Sequence, residues 1–319
     1  MSKLSPSRRK FLRHSVVAAA GLSVLGCGGN TTATETATDE EPTPMTETPL
    51  PYVDEIGIQL WTVRDQMAID PAATLKTIKE LGYHQVELGD TRTLAELKPI
   101  CDDLGLKINS SFINWNTVTG GWKYTPDDTP FDFGEVLETA TKAGLSHLVF
   151  GYLRPEERTS ADDWKRLADQ LNVAGEKTKS AGMQLTYHNH NFEWDPIEGT
   201  TGFDILTERM DGDLTPWELD IFWAQIAGQD AREVMTAAKD RLELLHLKQL
   251  HRGTPVVTRI ADVPENAFEE LPDGDMPIKE LMRYGKELGV TYCMVEQDGN
   301  YDTGSLASAG KSIEFLRNS

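Results

Sequence analysis

His188, Asp220, His246 and Glu296 each close a short apolar run: Leu185-Thr186-Tyr187-His188, Glu218-Leu219-Asp220, Leu244-Leu245-His246 and Met294-Val295-Glu296. Two imidazoles and two carboxylates at equivalent places in successive runs suit one divalent ion, Mn, Co, Zn or Mg, with positions left open for substrate oxygens. Such an ion would polarise a carbonyl and its neighbouring hydroxyl and lower the barrier to removing a proton beside them. Strand residues two apart point the same way, so His190 accompanies His188, Glu218 accompanies Asp220 and Lys248 accompanies His246. Of the two neighbouring histidines, His188 is expected to hold the ion and His190 to face the substrate. Lys248 either neutralises a developing enolate or pairs with Glu218. A plainer reading makes each of these residues a polar strand cap, but equivalent positions on several strands favour ligation.

The chain must bring those ends together. Apolar runs between turn signals predict eight strands, near residues 56–60, 85–88, 107–112, 147–152, 183–188, 215–221, 242–248 and 291–296. Helical stretches alternate with them, over 71–81, 133–143, 162–181 and 278–288 and a last one near 305–317, many ending in Gly, as at Leu81-Gly82 and Ala143-Gly144. Right-handed crossovers then place every helix outside, so the expected class is α/β, a single-domain (β/α)8 TIM barrel with its chemistry at the carboxyl ends of the strands. Three connections on that face, 113–130, 189–200 and 249–276, are longer than turns need and are expected to wall the site. Trp61, Trp115, Trp122, Trp194 and Trp223 also follow strands there, where a flat ring can pack on the C–H face of a sugar. Gln59 is an expected orienting contact, and Glu87, ending the second strand, is a substrate contact or a catalyst.

The first residues are of another kind. A basic start, an apolar run from Val16 to Leu25 and small residues before Cys27 read as an export signal over 1–26. Ser7-Arg8-Arg9-Lys10-Phe11-Leu12 resembles the twin-arginine motif, and Leu25-Gly26-Cys27-Gly28 resembles a lipobox, which implies a lipid on Cys27. Residues 27–51, rich in Thr, Glu, Pro and Ala, read as a disordered tether, leaving 52–319 for the barrel. The formal net charge is −20, and removing Lys3, Arg8, Arg9, Lys10 and Arg13 with the signal takes it to about −25. That surface repels phosphate backbones and argues against nucleic acid as a partner. Three cysteines, with Cys101 on a helix and Cys293 in a strand, offer no disulfide framework.

The segments Gly57-Ile58-Gln59-Leu60-Trp61-Thr62-Val63-Arg64, Gly82-Tyr83-His84-Gln85-Val86-Glu87-Leu88-Gly89, Tyr187-His188-Asn189-His190-Asn191-Phe192-Glu193, Glu218-Leu219-Asp220-Ile221-Phe222-Trp223, His246-Leu247-Lys248 and Val295-Glu296-Gln297-Asp298 together resemble the xylose isomerase-like TIM barrel superfamily. The likeness spans about Glu55 to Leu316 and is to the sugar phosphate isomerase/epimerase branch. It implies a metal held by four side chains, Glu, Asp, His and Glu in the epimerases, whose two glutamates also exchange the proton. Asp220, His246 and Glu296 match that set, whereas His188 stands where the first glutamate would be. An imidazole there can hold metal but removes one carboxylate base. Glu296 remains a candidate base, with His190, Lys248 or Glu87 as acid partner.

The resemblance implies a metal-dependent sugar isomerase or epimerase, and with the N-terminal motifs an exported one, lipid-anchored on the periplasmic side of a membrane. His188 favours the alternative of a lyase or dehydratase that performs β-elimination on keto sugars or 3-keto-glycosides. A further alternative is a sugar-binding lipoprotein without catalysis. Barrels of this kind often pair as homodimers, although no helix here shows a specific interface. Arg252 and Arg259 in the long loop after the seventh strand could hold a phosphate.

Overall fold

The computed structural model describes residues 49–121 and 132–318. The expected signal, Cys27, nearly all of the expected tether, and Trp122 lie outside those residues. Eight parallel strands form a closed barrel: β1 (Gly57–Gln59), β2 (Gln85–Leu88), β3 (Lys107–Ile113), β4 (His147–Phe150), β5 (Gln184–His188), β6 (Trp217–Asp220), β7 (Leu242–Leu247) and β8 (Tyr292–Val295). Each pairs with its sequence neighbours and β8 closes on β1, with Gly57 opposite Met294. The longer helices are α1 (Pro71–Leu81), α2 (Leu94–Leu104), α3 (Phe133–Ala143), α4 (Ala161–Ser180), α5 (Gly202–Arg209), α6 (Ala231–Ala237), α7 (Ile278–Glu287) and α8 (Ser305–Arg317).

Local chemistry sets the element ends. Asp70 caps α1 by accepting from Ala73 N at 3.0 Å, Pro71 occupies its first position, and Gly82 ends it at φ 104°. The left-handed backbone at Gly82 calls for glycine there. β1 and β6 stop earlier than the apolar runs suggest. Gln59 caps the 3-10 turn Leu60–Val63, and Asp220 caps the helix Ile221–Ile226, so side chains at the strand ends pull the following residues into helix.

The packed domain also begins slightly earlier than expected: Leu50 is buried in the core and the Tyr52 hydroxyl donates to Val290 O. Cys101 and Cys293 are buried free thiols, on α2 and β8. Among the described residues no helix is long and apolar enough to cross a membrane.

The three long connections carry structure of their own. Trp115–Thr119 is a short helix, Pro196–Ile197 pairs with Thr200–Thr201, and Gln249–Leu250 pairs with Phe268–Glu269. Register does the positioning at the rim: His188 lies opposite Glu218, Asp220 opposite His246, and Gln59 opposite Glu87. Pairing shifts by one residue at Trp217/Glu218 and at Val86/Glu87, irregularities of the kind that re-aim side chains next to a site.

Candidate active site

At the carboxyl end of the barrel His188, Asp220, His246 and Glu296 each offer one donor atom, all within 4.8 Å of one another and all buried. His246 Nδ1 lies 2.8 Å from Glu296 Oε2, and His188 Nε2 lies 3.9 Å from Asp220 Oδ2. An ion with ~2.0–2.2 Å bonds to nitrogen and oxygen separates its donors by roughly 3–4 Å, so the set fits. Asp220 shows how a cap and a ligand coexist. Its Oδ1 accepts from Trp223 N at 3.0 Å, while Oδ2 makes no hydrogen bond although fully buried. Lys248 Nζ is 3.0 Å from that Oδ2 as an ion pair, off hydrogen-bonding angles.

Lys248 sits among three carboxylates, with its Nζ also 2.9 Å from Glu296 Oε2 and 2.7 Å from Asp298 Oδ2. It does not pair with Glu218, one of the two roles expected of it. Burial disfavours its charge, but Asp220, Asp298 and Glu296 outweigh that and hold it as an ammonium. Burial likewise works to raise Glu296, and Lys248 and His246 reverse it, holding the carboxyl well below the usual range. Asp298 goes the other way: burial pushes it up to about 6 in spite of Lys248. His188 is held neutral by burial and by the charges of His246 and its neighbours, and burial brings His190 down to about 3. His246 keeps its proton despite burial because Glu218 and Glu87 face it.

Glu87 occupies a different level from the one expected of a catalyst. It accepts from Gln59 Nε2 at 2.9 Å and from the Ser110 hydroxyl, and it stands 2.7 Å from His246 Nε2. It is fully buried beside the candidate ligands and does not line the cavity. Glu87, Glu218 and His246 could themselves hold a metal. That group shares His246 with the first cluster, and none of its members lines the cavity, whereas His188 and Glu296 do, so it reads better as a support layer.

Above the ligands opens a cavity of about 930 Å³, within the size range of small-molecule sites. Its polar end is formed by His188, His190, Lys248, Glu296 and Asp298, with Gln59 at the side. Ile260, Val263, Pro264 and Phe268 from the loop after β7 form an apolar wall, together with Trp61 and Trp223. Trp61 is 51% exposed, unusual for its size, and the Arg64 guanidinium lies 4.6 Å from its ring.

Gly151 makes room on the opposite side, since a Cβ there would meet the Phe112 ring at 1.9 Å, and that ring packs edge-on against His188. His190 stacks on Phe192 and keeps an unpartnered Nδ1. Two expected contacts are not in the wall: Trp115 is buried in the core, and Trp194 stacks on Phe203 behind the site. Arg252 and Arg259 are exposed and form ion pairs with Asp275 and Asp262.

Two residues, Asp298 and Glu193, carry no role in the sequence. Asp298 is two residues beyond Glu296, a spacing that places both on one side of an extended segment. Glu218, expected beside Asp220 as a partner for Lys248, instead accepts from His188 Nδ1. Glu193, buried behind His190, accepts from its backbone N at 2.9 Å and from the Tyr187 hydroxyl at 2.8 Å. No spacing rule points to it.

Fold and cluster together define an enzyme-like barrel with a buried site fit for a divalent ion. Residues 75–319 match the xylose isomerase-like TIM barrel family, and the chain belongs to it. An inosose dehydratase of Clostridium perfringens is 28% identical over 146 residues, 43% of this chain and about half, 48%, of that relative's length. One of Lacticaseibacillus casei is 28% identical over 260 residues, covering 74% of this chain and 86% of the relative. Among solved structures, a sugar phosphate isomerase/epimerase of Parabacteroides distasonis superposes with a TM-score of 0.67 at 22% identity, over 83% of this chain and 98% of the other, a likeness that bears on the fold alone.

Proposed function

We propose that this chain is a divalent-metal-dependent enzyme that removes the proton beside the carbonyl of a keto sugar or keto glycoside and expels the oxygen on the next carbon. The observation that carries this reading is the buried His188, Asp220, His246 and Glu296 cluster beneath a cavity walled by aromatic rings. Those four side chains would hold the ion, which supplies polarisation of the carbonyl oxygen and of an adjacent hydroxyl. Asp298 is the better base of the two cavity carboxylates, because its affinity for a proton lies nearer neutrality than that of Glu296. Lys248, 2.7 Å from Asp298, brings a fixed positive charge to the enolate that forms as the C–H bond breaks. Asp298 then returns its proton to the leaving oxygen. His190, neutral and with a free Nδ1, orients a substrate hydroxyl.

One working base matches elimination, in which a single group can collect and return the proton, and the relatives named inosose dehydratase support that outcome. Isomerisation or epimerisation shares the first step and is the second reading, favoured by two carboxylates, Glu296 and Asp298, facing one cavity. Export through the twin-arginine motif and a lipid on Cys27 belong to the same proposal, supported by the residues around them.

The test is incubation of the ion-loaded chain with a panel of keto sugars and keto glycosides in heavy water, followed by NMR. An enone with loss of the β-oxygen supports elimination, and deuterium gained with inversion at carbon supports the second reading. Asp298→Asn is expected to stop exchange while the ion stays bound. Neither enone nor deuterium exchange on any member of the panel, with the ion in place, refutes both.

A further inference from the structure

The two candidate imidazole ligands come from different strands, yet one carboxyl oxygen reaches both. Glu218 Oε1 is 3.0 Å from His188 Nδ1 and 3.0 Å from His246 Nε2. In each ring the nitrogen facing Glu218 is the one turned away from the cluster: His188 Nε2 faces Asp220, and His246 Nδ1 faces Glu296. The rings themselves are 4.6 Å apart, centroid to centroid. Glu218 is fully buried, and its other oxygen, Oε2, has no hydrogen-bond partner. A buried carboxyl with an unsatisfied oxygen costs the fold stability, so what it contributes must come through Oε1. The strand irregularity at Trp217/Glu218 lies where this side chain is aimed.

We infer that Glu218 is the positioning residue of the metal site: by accepting from His188 Nδ1 it leaves Nε2 of that ring for the ion, and beside Glu87 it faces His246 Nε2, the nitrogen turned away from the cluster. This rests on the metal-dependent reading above. An imidazole with hydrogen on one nitrogen can coordinate only through the other, so an acceptor at His188 Nδ1 prepares Nε2 of that ring. Glu87 is the hydrogen-bond partner of His246 Nε2, at 2.7 Å, and Glu218 Oε1 faces the same nitrogen as an ion pair; among the described contacts only Glu218 reaches both histidines. His188 depends on it most. Its neighbours Phe112 and His190 offer that ring edge or stacking contacts and no acceptor at Nδ1.

The experiment uses the full chain, wild type, Glu218→Gln and Glu218→Ala, with two readouts. Calorimetric titration with zinc chloride reads affinity for the metal alone. Long-range proton–nitrogen NMR of histidine-labelled, metal-free protein reads the tautomer of His188. Wild type is expected to bind zinc and to show His188 with hydrogen on Nδ1, the form a free histidine side chain disfavours. Glu218→Gln keeps an acceptor oxygen and should hold that tautomer, with affinity within about threefold of wild type. Glu218→Ala should lose the tautomer and bind zinc about 10–100-fold more weakly, the range for loss of a residue behind a ligand.

Wild-type His188 with hydrogen on Nε2 overturns the inference, whatever the folding of the variants. Equal zinc affinity in wild type and Glu218→Ala also overturns it. If wild type binds no zinc while His188 shows the Nδ1 form, Glu218 still orients the ring and it is the metal-dependent function that fails.

Discussion

Replacing Lys248 by Met tests the charge balance of the site. Methionine keeps an unbranched, similarly sized side chain, so the change removes the ammonium without opening a large void. In the native chain that ammonium lies 2.7–3.0 Å from Asp298, Glu296 and Asp220, all buried. Removing one partner from a buried ion group leaves charge without compensation, which costs about 3–5 kcal/mol. At about 2–4 °C per kcal/mol for a domain of this size, the metal-free variant should melt roughly 6–20 °C lower at neutral pH.

The pH dependence has a definite sign. In the native chain the Glu296 carboxyl is held below its unfolded value, so its contribution is present above that value and lost as the pH falls. Without Lys248, burial dominates and the carboxyl rises, so in the variant stability is greatest at low pH and declines as the pH rises. The gap between the two proteins should therefore narrow towards pH 4. A divalent ion would neutralise the oxygens that Lys248 now occupies, so Lys248→Met should bind zinc more tightly than wild type and regain more stability from it. Thermal melts from pH 4 to 8, with and without zinc, check both points. A loss under about 1 kcal/mol, or weaker zinc binding in the variant, would refute the view that ion and ammonium share Asp220 and Glu296.

Two further outcomes follow from buried or exposed groups nearby. Trp61→Ala removes an exposed ring at the cavity edge and is expected to raise KM about five- to thirtyfold with kcat unchanged, the pattern of lost uniform binding; a fall in kcat at constant KM would instead mean that the ring acts only at the transition state. Glu193 is pushed up from 4.5 to about 7 by burial, so its share of stability is full below 4.5 and is lost as the pH rises through 7, a change of about 3 kcal/mol. Urea unfolding at pH 4.5 and pH 8 should show that loss in wild type and not in Glu193→Gln, and parallel behaviour of the two proteins would contradict it.

The barrel was legible in the sequence because its signals are local. Gly82, Gly105 and Gly144 all adopt the left-handed conformation that ends a helix, and most strands read as short apolar runs before they meet any partner. Position along a strand also carried the ligand cluster, since four residues at four strand ends need only closure of the barrel to meet. Depth within the barrel was less legible. Glu87 and Asp298 are both acids at the end of a strand, but one lies beneath the histidines and the other in the cavity wall, a difference made by the one-residue shift at Val86/Glu87 and by what stacks above. Trp194 and Trp61 likewise both follow strands, and only the presence of Phe203 behind the barrel decides that the first is core.

Lys248 shows why partners are harder to read than positions. Spacing put it beside His246, and two carboxylates, Glu218 and Asp220, stood two residues apart on the adjacent strand as rivals for it. The length of the lysine stem resolves the choice: Nζ extends outward past Glu218 to the level of Asp220, Glu296 and Asp298, leaving Glu218 to the shorter imidazoles below. The site is thereby layered by side-chain reach, with Glu87 and Glu218 under the imidazoles, and the imidazoles under a cation and its three carboxylates. Chemistry on a substrate falls to the upper layer, while the lower one determines what the imidazoles can hold.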